Sequence, residues 1–339
     1  MPDETTGHDA GRTAGRRRGF VGRVTRASRV IVVMVAVGVS AVGCGGSGTP
    51  AMPEDPSGIR TDEETGYWFG TNDWVEYRPG TLPIVLSAPH GGSLEPGSIP
   101  DRSGSGIVTV RDSRTIETTI AASDALANLT GERPHVIISH LRRTKLDPNR
   151  DIGEAALGND EAERAWREYH GFIDMARETV ATDHGAGLYL DMHGHGHDVQ
   201  RLELGYLLSG NQLDTFDDPA LDALDGQGTS LAGLGARTEA PFSSILRGPE
   251  SFGGLLEAAG VPAVPSPRWP GPEIDTIPGD EPYFSGGYST RRHGSVDGGP
   301  IDGIQIEHNF RGIRETPEDR ATYAEVLAEV IVTWVGGWQ

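Results

Sequence analysis

Short apolar runs alternate with amphipathic stretches along most of the chain after residue 80. Leu82 to Ala88 is apolar and lies between proline and glycine positions, which is typical of a buried strand. Other apolar runs predict further strands at 135–139, 187–191, 202–208 and 303–306. Helical periodicity predicts helices over 113–129, starting at Asp112 and Ser113, and over 160–182, and a closing helix is expected over 317–334. This order predicts an α/β fold, with a mostly parallel or mixed central sheet and helices on both faces.

The beginning of the chain has a different pattern. Residues 1–29 carry seven arginines and three acids, and an apolar run from Val30 to Val42 follows. A run of this length is too short to span a bilayer as a helix but suits the core of a signal peptide. It ends in Ala41-Val42-Gly43-Cys44, which resembles a lipobox. We therefore expect a signal peptide at 1–43, lipid on Cys44, a flexible tether over 44–60 and a single α/β domain over 61–339.

Two alternatives concern export and anchoring. Arg17 and Arg18, followed by Gly-Phe-Val, resemble a twin-arginine signal, but a basic segment that happens to contain two arginines fits equally well. A plain single-pass anchor is the alternative to lipidation. Cys44 is the only cysteine in the chain and lies where lipidation requires one, so lipidation is favoured. The expected location is the extracytoplasmic face of the cell membrane, and the rest of the chain has no disulfide and no thiolate metal site.

Charge and missing motifs exclude several functions. The formal charge is −20, and loss of residues 1–43 with their seven basic and three acidic residues brings it to −24. A surface this acidic argues against binding nucleic acid or anionic lipid through charge. The stretch nearest to a G-x-S-x-G elbow, Gly228 to Ala232, lacks the last glycine, so a serine hydrolase is disfavoured. No P-loop or G-x-G-x-x-G follows a predicted strand, so nucleotide binding is not indicated.

Side chains that can bind metal follow three of the predicted strands. His90 follows the first strand, His193 the third and Glu307 a late one. The carboxyl ends of strands form the ligand crevice of open α/β sheets, so these residues are expected at one edge. Single histidines are usually ordinary core or surface residues, but three such positions together indicate a site. Catalytic zinc often takes two histidines and one carboxylate and keeps one position open.

The loops after these strands supply further candidates. The loop from His90 to Glu95 offers a histidine and a carboxylate, and its two glycines would let both face one ion. Beyond His193, the stretch also holds His195 and His197, which alone would fit a surface histidine tract with incidental metal affinity. The basic loop over 142–150 follows the second strand and contains Lys145, the only lysine in the chain, which hints at a specific role there.

Four motifs in order carry a family resemblance. They are P-H-G-G followed by Glu95, D-P-N-R at 147–150, D-M-H-G at 191–194, and a strand that ends in Glu307. From about Leu82 to Arg311 the chain resembles the N-formylglutamate amidohydrolase family, which is related to zinc carboxypeptidases and poly-γ-glutamate hydrolases. Four residues separate His90 from Glu95, as in the poly-γ-glutamate hydrolases, whereas carboxypeptidases have two. Residues 211–300 depart from better-known members, and we interpret 283–288 as a specificity loop.

The resemblance implies a zinc site. Its ligands would be His90, Glu95 and His193. Asp147 would orient His90, in the usual pairing of a ligating histidine with a carboxylate. Asp191 would support the ligands in the same way. Zn²⁺ is therefore the expected cofactor.

The resemblance also implies catalytic and substrate-binding roles. Asn149 and Arg150 would grip a substrate carboxylate, and Glu307 would be the general base. Outside the resemblance, the basic loop adds Lys145 as a further substrate-binding candidate, and Arg143 could help zinc to hold a developing oxyanion.

These roles imply a zinc-dependent hydrolase that cleaves an amide C–N bond in a glutamate-like substrate with a free carboxylate. An exported enzyme has little access to cytosolic N-formylglutamate, so a cell-wall peptide or a γ-linked glutamyl polymer is favoured. A cell-envelope carboxypeptidase and a poly-γ-glutamate hydrolase stay open as alternatives. A different class also stays open, a surface lipoprotein that binds zinc or a solute without turnover. Glu307 and Arg150 distinguish the enzyme from such a binding protein, because a receptor needs neither a base nor a carboxylate clamp.

Overall fold

The computed structural model describes residues 56–273 and 282–338. The predicted signal peptide, Cys44 and most of the tether lie outside these ranges, so those interpretations, and the domain boundary at 61, remain predictions. Within the described ranges, none of the helices combines the length and the apolar character that a membrane crossing needs.

Nine strands form one sheet in the described part of the chain. In chain order they are β1 (Arg60–Thr61), β2 (Trp68–Phe69), β3 (Val75–Arg78), β4 (Ile84–Ala88), β5 (His135–Ser139), β6 (Gly187–Gly194), β7 (Leu202–Gly205), β8 (Ala263–Val264) and β9 (Ile301–His308). Their order across the sheet is β1-β2-β3-β5-β4-β6-β9-β7-β8. The four central strands β5, β4, β6 and β9 run parallel, whereas β3 and β7 pair antiparallel with them. The sheet is therefore mixed, and the predicted α/β class is confirmed.

Helices connect and cover these strands. In chain order they are α1 (Thr115–Thr130), α2 (Ile152–Ala156), α3 (Asp160–His184), α4 (Gly210–Thr215), α5 (Asp218–Asp222), α6 (Ala232–Arg237), α7 (Phe242–Arg247), α8 (Phe252–Ala258), α9 (Tyr288–His293) and α10 (Pro317–Trp338). The three helices predicted from the sequence correspond to α1, α3 and α10. The short helices between β7 and β9 had no clear periodic signal.

Alternation along the central strands builds two cores, one on each face of the sheet. Leu86 of β4 packs in a cluster with residues of α1 and α10, such as Leu126 and Ile331. Its neighbour Val85 points to the opposite face of the sheet and packs in a second cluster with Phe172 of α3. A strand buried on both faces reads as a continuous apolar run, which is why the sequence predicted β4 correctly.

The start of the first helix differs from the prediction. Asp112 was expected to begin it, but α1 begins at Thr115 and its N-terminal flanking residue is Arg114, in the left-handed region at φ 70°. No side chain caps this end. The backbone carbonyl of Asp112 accepts the Thr115 hydroxyl at 2.8 Å, which leaves the Asp112 carboxylate for other partners.

A buried histidine on β5 makes stability depend on pH. His135 is 2% exposed, and its Nδ1 lies 2.8 Å from the Tyr77 hydroxyl and accepts the Gly80 N–H at 3.3 Å. Burial, with a smaller effect of His184, lowers the pKa of His135 from 6.5 to about 4. The unfolded chain therefore takes up this proton first, and stability should fall as pH drops from 6.5 to about 4. The contribution is roughly 3 kcal/mol, at 1.36 kcal/mol per pKa unit.

Chemical denaturation at about pH 7 and about pH 4.5 would measure this effect. His135→Gln keeps an acceptor but cannot take up a proton, so its free energy of unfolding should fall less between the two values. An equal fall in the variant and the wild type would rule out His135 as a source of the acid sensitivity.

Candidate metal and substrate site

The parallel strands deliver the candidate side chains to one edge of the sheet. His90 follows β4, while His193 and Glu307 are opposite one another in the register of β6 and β9. They line a cavity of about 330 Å³. The other lining residues are Val108, Asp112, Arg143, Asn149, Arg150, Gly194, Tyr283, Phe284, Ser285, Gly286, Gly287 and Gln305. The edge predicted from the strand ends is therefore also the wall of a cavity.

A buried group of His90, Asp112 and His193 lies in this cavity, with one ligand atom of each within 4.8 Å of the others. Nδ1 of His90 is 3.3 Å and Nδ1 of His193 is 3.2 Å from the same carboxylate oxygen, Oδ2 of Asp112. The Gly194 N–H also donates to that oxygen at 3.2 Å. Two imidazoles and a carboxylate that converge in this way could hold a metal ion.

Two further carboxylates fix the orientation of the imidazoles. Nε2 of His90 lies 2.6 Å from Oδ1 of Asp147, and Nε2 of His193 lies 2.9 Å from Oδ2 of Asp191. Asp191 is itself held by the Ser87 hydroxyl, which donates to it at 2.7 Å. Ligating histidines commonly use one ring nitrogen for the metal and bind a carboxylate through the other. This group fits that chemistry, because both Nε2 atoms are engaged and both Nδ1 atoms face Asp112.

The surrounding charges keep the buried carboxylates ionised. Burial alone would raise the pKa of Asp112, but His90 and His193 outweigh it and hold that pKa well below its ordinary value. Burial would likewise raise the pKa of Asp147, yet His90 and Arg143 lower it far below the usual range. Arg143 donates from Nε to Asp147 at 2.9 Å. Ionised carboxylates are the forms that ligate a cation or orient an imidazole.

Glu307 has the opposite electrostatic environment. It is buried, its Oε1 accepts Nε2–H of Gln305 at 3.0 Å, and the same oxygen lies 4.0 Å from Nδ1 of His193. Burial raises the pKa of Glu307 to about 8, with Asp112 and Glu203 adding to the rise and His193 opposing it. A carboxyl group that titrates near neutrality suits proton transfer at working pH.

Glu95 lies elsewhere than the sequence predicted. Its side chain is 48% exposed and pairs with Arg142 at 2.6 Å. The reason is a short bridge between Leu94 and Leu141, in which the Arg142 N–H donates to the Leu94 carbonyl at 2.9 Å and turns Glu95 outward. The structure therefore corrects the expected geometry, because the carboxylate between the two histidines belongs to Asp112.

The two glycines after His90 allow close packing and do not form the predicted sharp turn. A Cβ on Gly91 would meet the Ile116 side chain at 2.6 Å, and one on Gly92 would meet the His140 backbone at 2.4 Å. Neither has a positive φ. These glycines let the loop approach α1 and the segment after β5 closely.

The substrate-binding candidates separate into two groups. Arg143, Asn149 and Arg150 line the cavity. Arg150 donates to Glu154 at 3.0 Å and to the Asn149 carbonyl at 2.8 Å. Lys145 does not line it. Its ammonium group donates to the Ile99 carbonyl at 2.8 Å and pairs with Asp101 at 2.7 Å, and these contacts hold the 99–101 segment.

The segment over 283–287 forms one wall of the cavity. A Cβ on Gly287 would lie 2.4 Å from the Asn149 amide nitrogen, so glycine permits this close approach. The Asn149 side-chain oxygen accepts the Ser289 N–H at 2.8 Å, and its amide nitrogen lies 3.3 Å from Nε2 of His193. The stretch interpreted as a specificity loop is thus in contact with the cavity.

Sequence reasoning missed two members of the site. Asp112 had no distinguishing signal, because aspartate just ahead of a helix is normally interpreted as a cap. Gln305 did have a signal in the sequence. It is a polar residue in the apolar run Gly303 to Ile306, two positions before Glu307, and alternation in a strand places both on one face.

Comparisons with known proteins show limited likeness. No protein-family model matches the chain, and no curated protein matches it. Among solved structures, the N-formylglutamate amidohydrolase from Ralstonia eutropha JMP134 aligns over 78% of this chain and 98% of its own, with 15% identity and a TM-score of 0.49. A gene product from Agrobacterium tumefaciens aligns over 78% and 95%, with 16% identity and a TM-score of 0.42. A putative carboxypeptidase A from Shewanella denitrificans OS-217 aligns over 76% and 60%, with 13% identity and a TM-score of 0.33.

Proposed function

We propose that the chain is a zinc-dependent hydrolase that cleaves an amide C–N bond in a glutamate-like substrate with a free carboxylate. The observation that carries the proposal is the convergence of His90, Asp112 and His193 beside Glu307 in one cavity. A site that only stored metal would not need a buried acid next to the ligands. The arginines in the same wall add a means of binding an anionic group.

The proposed zinc ligands are Nδ1 of His90, Nδ1 of His193 and the carboxylate of Asp112. This set replaces the one predicted from the sequence, in which Glu95 supplied the oxygen. When bound, zinc supplies Lewis-acid chemistry to a water molecule and to the substrate carbonyl.

The remaining chemistry falls to side chains of the chain. Glu307 accepts a proton from the attacking water and passes it to the leaving nitrogen. Arg143 faces the cavity and contributes positive charge where the carbonyl oxygen becomes negative. Asp147 and Asp191 hold the two imidazoles in place.

The alternatives differ in substrate or in turnover. A panel of N-formylglutamate, γ-glutamyl oligomers and muropeptides, each assayed with and without a chelator, tests the proposal. Chelator-sensitive release of an amine from one of them is expected. Zinc binding without hydrolysis of any would favour the non-catalytic lipoprotein.

Arg150 is the proposed carboxylate clamp, supported by its place in the cavity wall. Arg150→Lys should keep zinc and the fold but lower kcat/KM by roughly 10- to 150-fold, because a point charge cannot replace two parallel hydrogen bonds worth about 1.5–3 kcal/mol. Steady-state kinetics would measure the loss. Converting the substrate carboxylate to an amide should cost the wild type a similar factor and the variant little.

Glu154→Gln is the matched control, because Glu154 is the acid that Arg150 contacts at 3.0 Å. If Arg150 only holds its own loop, Glu154→Gln should reproduce the defect. Equal rates on the charged and the amidated substrate in the wild type would eliminate the clamp.

The proposed location is the extracytoplasmic face of the membrane, supported by the sequence at 30–44. Cys44→Ala should release the protein from the membrane fraction or leave an uncleaved precursor, which fractionation and mass measurement would show. Replacing Arg17 and Arg18 with lysine tests the twin-arginine alternative separately. Normal processing and membrane retention of Cys44→Ala would mean that Cys44 carries no lipid.

A further inference from the structure

A second group of metal-binding side chains lies just beyond the first along the chain. His195 and His197 follow the end of β6, and Glu203 is on β7. Oε1 of Glu203 lies 2.7 Å from Nδ1 of His197 and 3.9 Å from Nδ1 of His195, and the three ligand atoms are all within 4.8 Å of one another. The side chains of His195 and Glu203 are 0% and 1% exposed, and that of His197 is 22% exposed. None of the three belongs to the His90, Asp112 and His193 group.

The protein backbone orients two of these side chains toward a common point. Nε2 of His195 donates to the Arg201 carbonyl at 2.8 Å, so Nδ1 is the unprotonated nitrogen and lies 3.9 Å from Oε1 of Glu203. The other oxygen of Glu203, Oε2, accepts the Phe284 N–H at 2.8 Å, which aims Oε1 at the imidazoles. A backbone carbonyl or amide on the far atom of each ligand is the arrangement that supports metal ligands in proteins.

His197 is held on its other side by an aromatic ring. Its imidazole stacks on Phe284 with centroids 4.8 Å apart and planes at 21°. Its backbone N–H donates to Nδ1 of His195 at 3.1 Å, a contact that a bound ion would replace. Ligands of a tetrahedral zinc at about 2.0–2.1 Å lie about 3.3 Å apart, so His197 and Glu203 would separate and His195 and Glu203 would approach, each by roughly 0.6 Å. Because His197 is in the loop between β6 and β7, a movement of this size is available to it.

We propose that His195, His197 and Glu203 form a second zinc site, separate from the one in the cavity. The donor set is two imidazoles and one carboxylate, which suits Zn²⁺ among the common cations. Phe284 lines the cavity and its backbone N–H donates to Glu203. Zinc at this site would therefore link the β6–β7 loop and β7 to the cavity wall. Its effect is therefore structural, and the inference does not depend on the proposed hydrolytic function.

Counting zinc in single and double variants tests the site. The protein would be loaded with excess zinc, dialysed and measured by plasma mass spectrometry. We expect two ions per chain in the wild type, one in His197→Gln, one in His90→Gln and none in the double variant. His184→Gln is the matched control, since His184 is an exposed histidine outside both groups and contacts the Thr81 carbonyl, and it should keep two.

Thermal unfolding gives an independent readout. Added zinc should raise the melting temperature of His90→Gln, because binding to the folded state stabilises it, and should leave the double variant unchanged. Equal zinc in the wild type and His197→Gln, or no zinc and no shift in His90→Gln, would overturn the second site. Equal zinc in the wild type and His90→Gln would instead contradict the cavity site, so the two failures are distinguishable.

Discussion

Glu307→Gln should lower kcat by about 10²- to 10⁴-fold, the range that a positioned general acid–base group contributes. The amide keeps the size of the side chain and can still contact Gln305, but it cannot accept a proton from water. Glu307 is outside the group whose ligand atoms converge, so zinc content should be unchanged. Measuring kcat and zinc in the same preparation separates loss of the base from loss of the metal.

Gln305→Glu is an informative companion because Gln305 donates to Glu307 at 3.0 Å. A second acid beside Glu307 should raise the pKa of Glu307 further. Because the base must be ionised to act, kcat should then begin to rise only at higher pH than in the wild type. If Glu307→Gln retains near-normal kcat, Glu307 is not the base and another group must move the proton.

Asp112→Ala should remove zinc and activity together, whereas Glu95→Ala should leave both near the wild-type level. Loss of a partner that only orients a ligand costs about 10- to 100-fold in metal affinity, so loss of a ligand should weaken zinc binding by more than about 100-fold. Equilibrium zinc titration against a competing chelator measures this directly. The pair is matched, because both variants delete one carboxylate and only Asp112 lies between the histidines.

The reverse outcome would favour the ligand set implied by the sequence. If Glu95→Ala loses zinc and Asp112→Ala keeps it, the 90–95 loop must rearrange on metal binding. That rearrangement would have to break the ion pair of Glu95 with Arg142 and the bridge between Leu94 and Leu141.

The sequence predicted the central fold because that part follows from local pattern. Strands β4, β5 and β6 are largely apolar, and the long helix α3 is clearly amphipathic, so the type and order of these elements could be predicted directly. The short helices of the 210–258 region had no such pattern. Parallel strands then place their carboxyl ends together, which is why His90, His193 and Glu307 could be expected in one place.

The errors in the site arise from loops, where side-chain direction depends on tertiary contacts. Nothing in the spacing of His90 and Glu95 reveals the bridge that turns Glu95 toward Arg142. Asp112 reaches the histidines only because α1 packs against the 90–92 loop, a contact between segments with no sequence signal of its own. Lys145 was singled out for its rarity, and rarity carries no information about direction.

Reconstitution of the zinc-free protein tests zinc-dependent hydrolysis most directly. Zinc would be removed with a chelator, and hydrolysis of the best substrate of the panel would be followed as zinc is returned, in the wild type and in His197→Gln. We predict that the zinc-free protein is inactive and that activity in His197→Gln rises in proportion to zinc and saturates at one ion per chain. Full activity of the zinc-free protein, or zinc uptake with no gain in activity, would contradict a zinc-dependent hydrolase at His90, Asp112 and His193.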